Sequence, residues 1–176
     1  MTPDELAQRA RGIRLLTLDV DGVLTDGRIY IDDDGREMKA FFALDGVGLR
    51  MLAAAGFAIA WITGSNAPAV ALRARSLGVA NVVQGADDKL EPWEKLRRSL
   101  DLAPAACAHI GDDLPDLPLL ERCGLAITVP HAPAAVVERA HYVTKRDGGF
   151  GAVRETCELL IAARSAAAPR RIDVDL

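Results

Sequence analysis

A doubly wound α/β fold with a mainly parallel sheet is predicted by three features of the sequence. Continuous apolar runs recur that are too short for helices and long enough for strands, about 4–8 residues each. Amphipathic stretches of helical length alternate with them. Acidic or glycine-containing turns follow the carboxyl ends of several runs, where an open α/β sheet binds its ligands.

Thr2, Pro3 and Glu5 supply an N-cap, a first helical residue and a capping-box partner, predicting a helix that ends near Gly12. Ile13–Val20 (IRLLTLDV) then reads as a strand buried on both faces. RIYI and REMKAFFA flank DDDG, whose Gly35 can adopt positive φ, so residues 28–43 are expected to form a β-hairpin insertion. From Asp45 the period switches: GLRMLAAAG reads as a helix and Phe57–Thr63 as a second buried strand. Ala67–Leu77 follows as a helix closed by Gly78, NVVQG as a strand, and Leu90–Leu102 as a helix with Pro92 in its first turn. CAHIG is the next strand, followed by a helix over Leu114–Cys123, strand LAITV, a helix over Pro133–Ala140, strand HYV and a helix over Ala152–Ala163. Residues 1–176 are expected to form one domain, with a tail at about 165–176 whose PRRIDVDL either reaches a neighbour or frays.

Half of the 176 residues are apolar, enough for a sizeable core, and a net charge of −4 without basic blocks argues against a nucleic-acid partner. No apolar run is long enough to span a bilayer, and the acidic N-terminus reads as a helix, so no membrane association and a cytoplasmic location are expected. Cys107, Cys123 and Cys157 lack metal-ligand spacing and lie in apolar segments, as suits buried thiols.

The chemistry lies at the strand ends. Asp19 and Asp21 follow the first strand, Thr63 and Gly64 the second, Lys89 the third, and Asp112, Asp113 and Asp116 the fourth. Five carboxylates converging on one crevice call for a cation, and Mg2+ suits hard oxygen ligands that share the ion with water and phosphate. Asp19 is a candidate nucleophile toward phosphorus. Asp21, two residues on, faces the same side if the strand persists through Val20, as a general acid/base must. Asp26 is either a turn residue or a substrate contact, and Asp45 with Gly46 reads as a helix cap. The three histidines lack metal-ligand spacing and read as structural.

DVDGVLTDG, TGS, Lys89 and GDDLPD, in this order, resemble the four motifs of the haloacid dehalogenase-like phosphatases. DVDGVLTDGRIY, FFALDGVGL, QGADDKL, HIGDDLPDLPLL and HYVTKRDGGFGAVRE are similar to the 3-deoxy-D-manno-octulosonate 8-phosphate phosphatases of lipopolysaccharide sugar synthesis. The resemblance implies a Rossmann-like haloacid dehalogenase fold and hydrolysis of a sugar phosphate through an aspartyl-phosphate. It assigns Asp19 as nucleophile and Mg2+ ligand, Asp21 as general acid/base and ligand through its carbonyl, and Asp112 as third protein ligand. It further implies that Thr63 and Lys89 hold the phosphoryl group, with Gly64, Ser65, Asp113, Asp116, Asp45 and Gly46 around substrate or ligands.

Ser65 and Phe150 stand where the branch commonly has arginine, and Lys145, Arg146, Arg73 and Arg154 remain as cations for a substrate carboxylate. An eight-carbon 3-deoxy acid sugar phosphate is expected, with a nine-carbon keto acid 9-phosphate or a smaller sugar phosphate as alternatives. A phosphoacceptor receiver module would place its Thr and Lys after its acidic residues, whereas here the second acidic cluster follows both, and a silent binding module is disfavoured because every motif residue is present. The intervals between motifs leave no room for a cap domain, and Ile29, Ile31, Phe41 and Phe42 lie on a ribbon that a small domain cannot cover. By resemblance, a homotetramer is expected in which neighbouring subunits close the site.

Overall fold

Leu15–Leu18 forms the first strand, β1, all four residues buried, and it becomes the centre of the sheet. The computed structural model describes residues 1–167, so the segment PRRIDVDL lies outside the described residues. Helix α1 (Pro3–Arg11) precedes β1, with the Thr2–Glu5 capping box formed. After β1 come the hairpin strands β2 (Tyr30–Ile31) and β3 (Glu37–Met38), α2 (Ala43–Ala54), β4 (Ala58–Ile62), α3 (Pro68–Leu77), β5 (Asn81–Val83) and α4 (Leu90–Ser99). β6 (Cys107–Ile110), α5 (Leu117–Leu120), β7 (Leu125–Thr128), α6 (Ala134–Val137), β8 (Tyr142–Val143) and α7 (Ala152–Ala167) complete the order.

The sheet order is β5-β4-β1-β6-β7-β8, and every pair is parallel. The chain therefore builds outward from β1 on one side and returns to the other, leaving a switch point between β1 and β6. Side chains alternate across the strands. Leu16, Leu18, Ile59, Trp61, Ile110 and Ile127 pack against helices that include α2 and α7, whereas Leu15, Ala60, Ile62, Cys107 and Ala126 meet α4, α5 and α6. Two apolar cores thus hold a central sheet whose carboxyl edge stays free for chemistry.

Several elements are shorter than their sequence pattern suggests. The hairpin is a ribbon of two residues per strand, with Tyr30 opposite Met38. Phe41 leaves it to stack on Trp61, ring centroids 6.3 Å apart, and so belongs to the core margin rather than to an uncovered ribbon. Pro115 and Pro118 lack backbone N–H groups, and the expected helix over Leu114–Cys123 becomes a 3-10 turn at Leu114–Asp116 followed by one α turn. α4 stops at Ser99 because Asp101 takes a left-handed φ of 54°. α7 instead runs past Ala163, where Arg164 donates to the Ala55 carbonyl at 2.8 Å and covers the Phe57 ring.

Between Asp26 and Thr63 lie only the hairpin, α2 and β4, and between Thr63 and Lys89 only α3 and β5. Neither interval holds a cap domain. Among the described residues, no helix is long and apolar enough to cross a membrane.

Candidate active site

β1 ends at Leu18, but the Asp19 amide still donates to the Ile110 carbonyl at 3.0 Å, which keeps the Asp19 backbone aligned with β6. The chain then turns. The Val20 carbonyl accepts from the amides of Val23, Leu24 and Thr25 at 3.3, 2.8 and 3.0 Å. A strand persisting through Val20 is therefore not what brings Asp21 to the site; this turn does. Gly22 adopts φ +80°, and a Cβ there would lie 2.0 Å from Asp112 Oδ2, so only glycine lets the two loops close together. A Cβ on Gly148 would lie 1.7 Å from the Gly22 carbonyl oxygen, which seats the GGFG segment directly on the same turn.

Asp19, Asp21, Thr63, Gly64, Ser65, Lys89, Asp112, Asp113 and Asp116 line one cavity of about 460 Å³, together with Gly22 and Asp87. Lys89 Nζ lies 2.9 Å from Asp19 Oδ2 and 2.8 Å from Asp116 Oδ1, with 5% of its side chain exposed. Burial alone would lower the Lys89 pKa, but Asp19 and Asp116 outweigh it and the net direction is up. Asp116 would rise on burial, yet a hydrogen bond and charge from His109, with Lys89, hold it below the usual carboxylate range. Asp19 is raised to about 6 by burial and by Asp116, against the pull of Lys89. Asp112 is raised to about 8 by burial, then by Asp19 and Asp116.

One lysine therefore serves a group of carboxylates that repel each other. Oxygens of Asp19, Asp112 and Asp116 lie within 4.8 Å of one another, and Asp112 Oδ1 is buried without a hydrogen-bond partner. Hard oxygen donors with an orphaned, charge-stressed carboxylate fit a magnesium ion. Of the three, Asp116 is the least available as a ligand, because its Oδ1 is already spent on Lys89 and on His109 Nε2 at 3.0 Å.

Thr63 is 1% exposed, and its Oγ1 accepts from the Ser65 amide at 3.1 Å, folding the TGS turn over the end of β4. Gln84 clamps that turn by donating to the carbonyls of Ser65 and Ala67. Asp113 accepts from the Leu114 amide at 2.7 Å and caps the 3-10 turn that presents Asp116. Asp26 accepts from Arg28 N at 3.1 Å and from Tyr30 Oη at 3.2 Å, so it ties the root of the hairpin.

Asp45 and Gly46 do not join the cavity. α2 starts at Ala43, which places Asp45 inside its first turn rather than at its cap. The buried Asp45 carboxylate instead accepts the Arg154 amide at 2.7 Å at the start of α7. Gly46 makes room for the Arg73 guanidinium, 2.5 Å from where a Cβ would stand.

Two side chains near the site have no motif that announces them. His109, wholly buried, pairs in register with Thr17, its Nδ1 2.9 Å from Thr17 Oγ1, and donates through Nε2 to Asp116. Lys39, just past the hairpin, reaches Asp21. His109 was visible only as a polar residue inside an apolar strand, and Lys39 only as a lysine between Met38 and Ala40.

A carboxylate delivered by the central strand of a parallel sheet to a lysine and a cation niche defines an aspartate-dependent phosphotransfer enzyme. Comparison with known proteins agrees: the pattern of the haloacid dehalogenase-like hydrolases matches residues 55–153. A curated 3-deoxy-D-manno-octulosonate 8-phosphate phosphatase from Yersinia pestis is 44% identical over 161 residues, 92% of this chain and 86% of the relative. Its counterpart from Escherichia coli K12 is 44% identical over 160 residues, 91% of this chain and 85% of the relative. A crystal structure of such a phosphatase from Moraxella catarrhalis, in complex with magnesium, phosphate and KDO, superimposes with a TM-score of 0.91 at 41% identity, covering 93% of this chain and 94% of that one. The chain belongs to the haloacid dehalogenase-like hydrolases, in the branch of the 3-deoxy-D-manno-octulosonate 8-phosphate phosphatases.

Proposed function

We propose that this chain hydrolyses 3-deoxy-D-manno-octulosonate 8-phosphate to phosphate and the free sugar acid, through a phosphoryl group carried on Asp19. The observation that carries the chemistry is the cluster of Asp19, Lys89, Asp112 and Asp116 at the switch point between β1 and β6. Substrate identity is supported by the likeness of nearly the whole chain to phosphatases named for this reaction. Asp19 attacks phosphorus while Asp21 gives a proton to the departing sugar oxygen; Asp21 then takes a proton from the water that frees Asp19. Lys89, Thr63 and the TGS turn hold the phosphoryl oxygens. Asp19, the Asp21 carbonyl and Asp112 would hold a magnesium ion, which would supply positive charge to the phosphate oxygens.

For the substrate carboxylate, the available cations lie beside Phe150 rather than at it. Lys145, Arg146 and Arg154 border a groove with Phe42 and Phe150, and Phe150 is 54% exposed. The test is kcat/KM across eight-carbon, nine-carbon and small sugar phosphates. We expect the eight-carbon acid sugar phosphate to lead by about tenfold or more, the scale on which pocket contacts discriminate substrates that differ in length. A nine-carbon substrate in the lead would reassign the specificity.

We further propose a homotetramer, with neighbours closing the site, in the cytoplasm, where free buried thiols such as Cys107, Cys123 and Cys157 stay reduced. The hairpin exposes Ile29 at 73% and Ile31 at 67%, and α2 presents Leu44, Val47 and Met51 to solvent. Such apolar exposure suits an interface. Ile29→Asp with Ile31→Asp should yield smaller species in sedimentation velocity. It should also cost roughly tenfold or more in kcat/KM, because a site opened to water loses positioning worth up to about 10²-fold. An unchanged sedimentation coefficient would remove the hairpin from the interface.

A further inference from the structure

Lys39 is an unusual lysine. It follows an exposed hairpin, yet only 3% of its side chain is exposed, and its Nζ lies 2.6 Å from Asp21 Oδ1 and 2.6 Å from Glu37 Oε1. Among the described residues, the Asp21 side chain has one further hydrogen bond, a long one of 3.4 Å from Thr25 Oγ1. The carboxylate that must meet the leaving oxygen is therefore held chiefly by a residue outside the α/β core.

We propose that Lys39 is a positioning residue for the general acid, fixing Asp21 Oδ1 so that Oδ2 is presented to the bridging oxygen of the substrate. This rests on Asp21 serving as the acid. Three observations agree. The contact is a short charge-assisted hydrogen bond, the kind that fixes geometry as well as contributing energy. Glu37 anchors the same ammonium from the other side, so Lys39 is itself oriented and not a free arm. The Asp21 side chain is 37% exposed and lies in a turn, so without Lys39 its carboxylate has several rotamers open to solvent.

The step it serves balances as follows. The Asp19 carboxylate oxygen forms a bond to phosphorus as the bond from phosphorus to the sugar oxygen breaks, and the Asp21 proton passes to that oxygen to give the alcohol. Water then attacks phosphorus, its proton passes to Asp21, and the bond to Asp19 breaks. Lys39 exchanges no proton in either step and is not among the residues that line the catalytic cavity. It thus acts only through where it puts Asp21.

A leaving group that needs no proton isolates this role. Lys39→Met and Lys39→Arg should be assayed with 3-deoxy-D-manno-octulosonate 8-phosphate and with p-nitrophenyl phosphate, beside Asp21→Asn. For Lys39→Met we expect kcat on the sugar phosphate to fall about 10²-fold, the scale of a displaced catalytic group. KM should change little, and kcat on the aryl phosphate should fall far less. Lys39→Arg should recover part of the loss, and Asp21→Asn should show the same preference for the aryl ester more strongly. Equal losses on both esters, or a change confined to KM, would overturn the role of Lys39. If Asp21→Asn itself fails to discriminate between the esters while Asp19→Asn is inactive, Asp21 is not the acid and the inference falls with it. Melting temperatures of all variants in magnesium identify any loss that comes from unfolding.

Discussion

Asp19→Asn is expected to end turnover and to leave the fold standing. An amide oxygen is a poor nucleophile and cannot carry the phosphoryl group, so kcat should fall by at least about 10⁴-fold, the scale on which enzymes lose rate when a covalent nucleophile is removed. Structure survives because the substitution keeps shape: the asparagine oxygen can still accept from Lys89, which now lies 2.9 Å from Asp19 Oδ2. In metal-free buffer the variant should be the more stable protein. The Asp19 pKa is raised to about 6 from 3.8, so the folded state holds the proton more tightly than the unfolded chain. Stability is therefore lost as pH rises from about 4 to about 6, and the full cost is present at neutral pH. Asparagine has no such cost, and its melting temperature without metal should exceed that of the wild type. Phosphate release and intact mass after mixing with substrate are the readouts. A phosphoryl adduct on Asp19→Asn, or more than about 1% of wild-type kcat, would move the nucleophile elsewhere.

The residues that carry this prediction were legible in the sequence because two patterns coincide there. Apolar runs mark buried parallel strands, and the polar residues that end them mark the sheet's carboxyl edge; Asp19, Thr63 and Asp112 satisfy both. What stayed hidden depends on contacts distant in sequence. Asp45 looks like a cap for its own helix, but its partner is the amide of Arg154, 109 residues on. His109 acquires a role only when β1 and β6 pair in a register that sets it beside Thr17, and when the turn after β6 brings back Asp116. Lys39 has no periodic signature, since a hairpin of two residues per strand imposes almost no pattern. The place of Phe41 is hidden for the same reason: nothing local distinguishes a ribbon residue from one leaving the ribbon to stack on Trp61.

Asp112→Asn should separate catalysis from stability in a second way, because Asp112 carries the strongest sign of a missing counter-charge. Its pKa is raised to about 8, and its Oδ1 has no hydrogen-bond partner. In the unfolded chain this carboxyl ionises near 3.8; in the metal-free fold it ionises only near 8, so the fold binds the extra proton between those limits. Metal-free wild type should therefore lose stability steadily from about pH 4 to about pH 8, Asp19 contributing up to about pH 6 and Asp112 throughout. Asp116, whose pKa is lowered, acts oppositely: its contribution is present above 3.8 and is lost only as pH falls further. Magnesium binds the ionised carboxylates, so saturating ion should release protons and suppress the loss, contributing about 2.7 kcal/mol at a hundredfold excess over Kd. Asparagine at position 112 cannot supply the anionic oxygen. Melted in chelator, the variant should show a flatter pH profile and exceed the wild type at about pH 8; melted in magnesium, it should gain little, and turnover should be lost by about 10²-fold or more. If Asp112→Asn gained as much from magnesium as the wild type does, the ion would have to sit on other oxygens of the cluster. Asp116 would then have to exchange its bonds to Lys89 and His109 for a place on the metal.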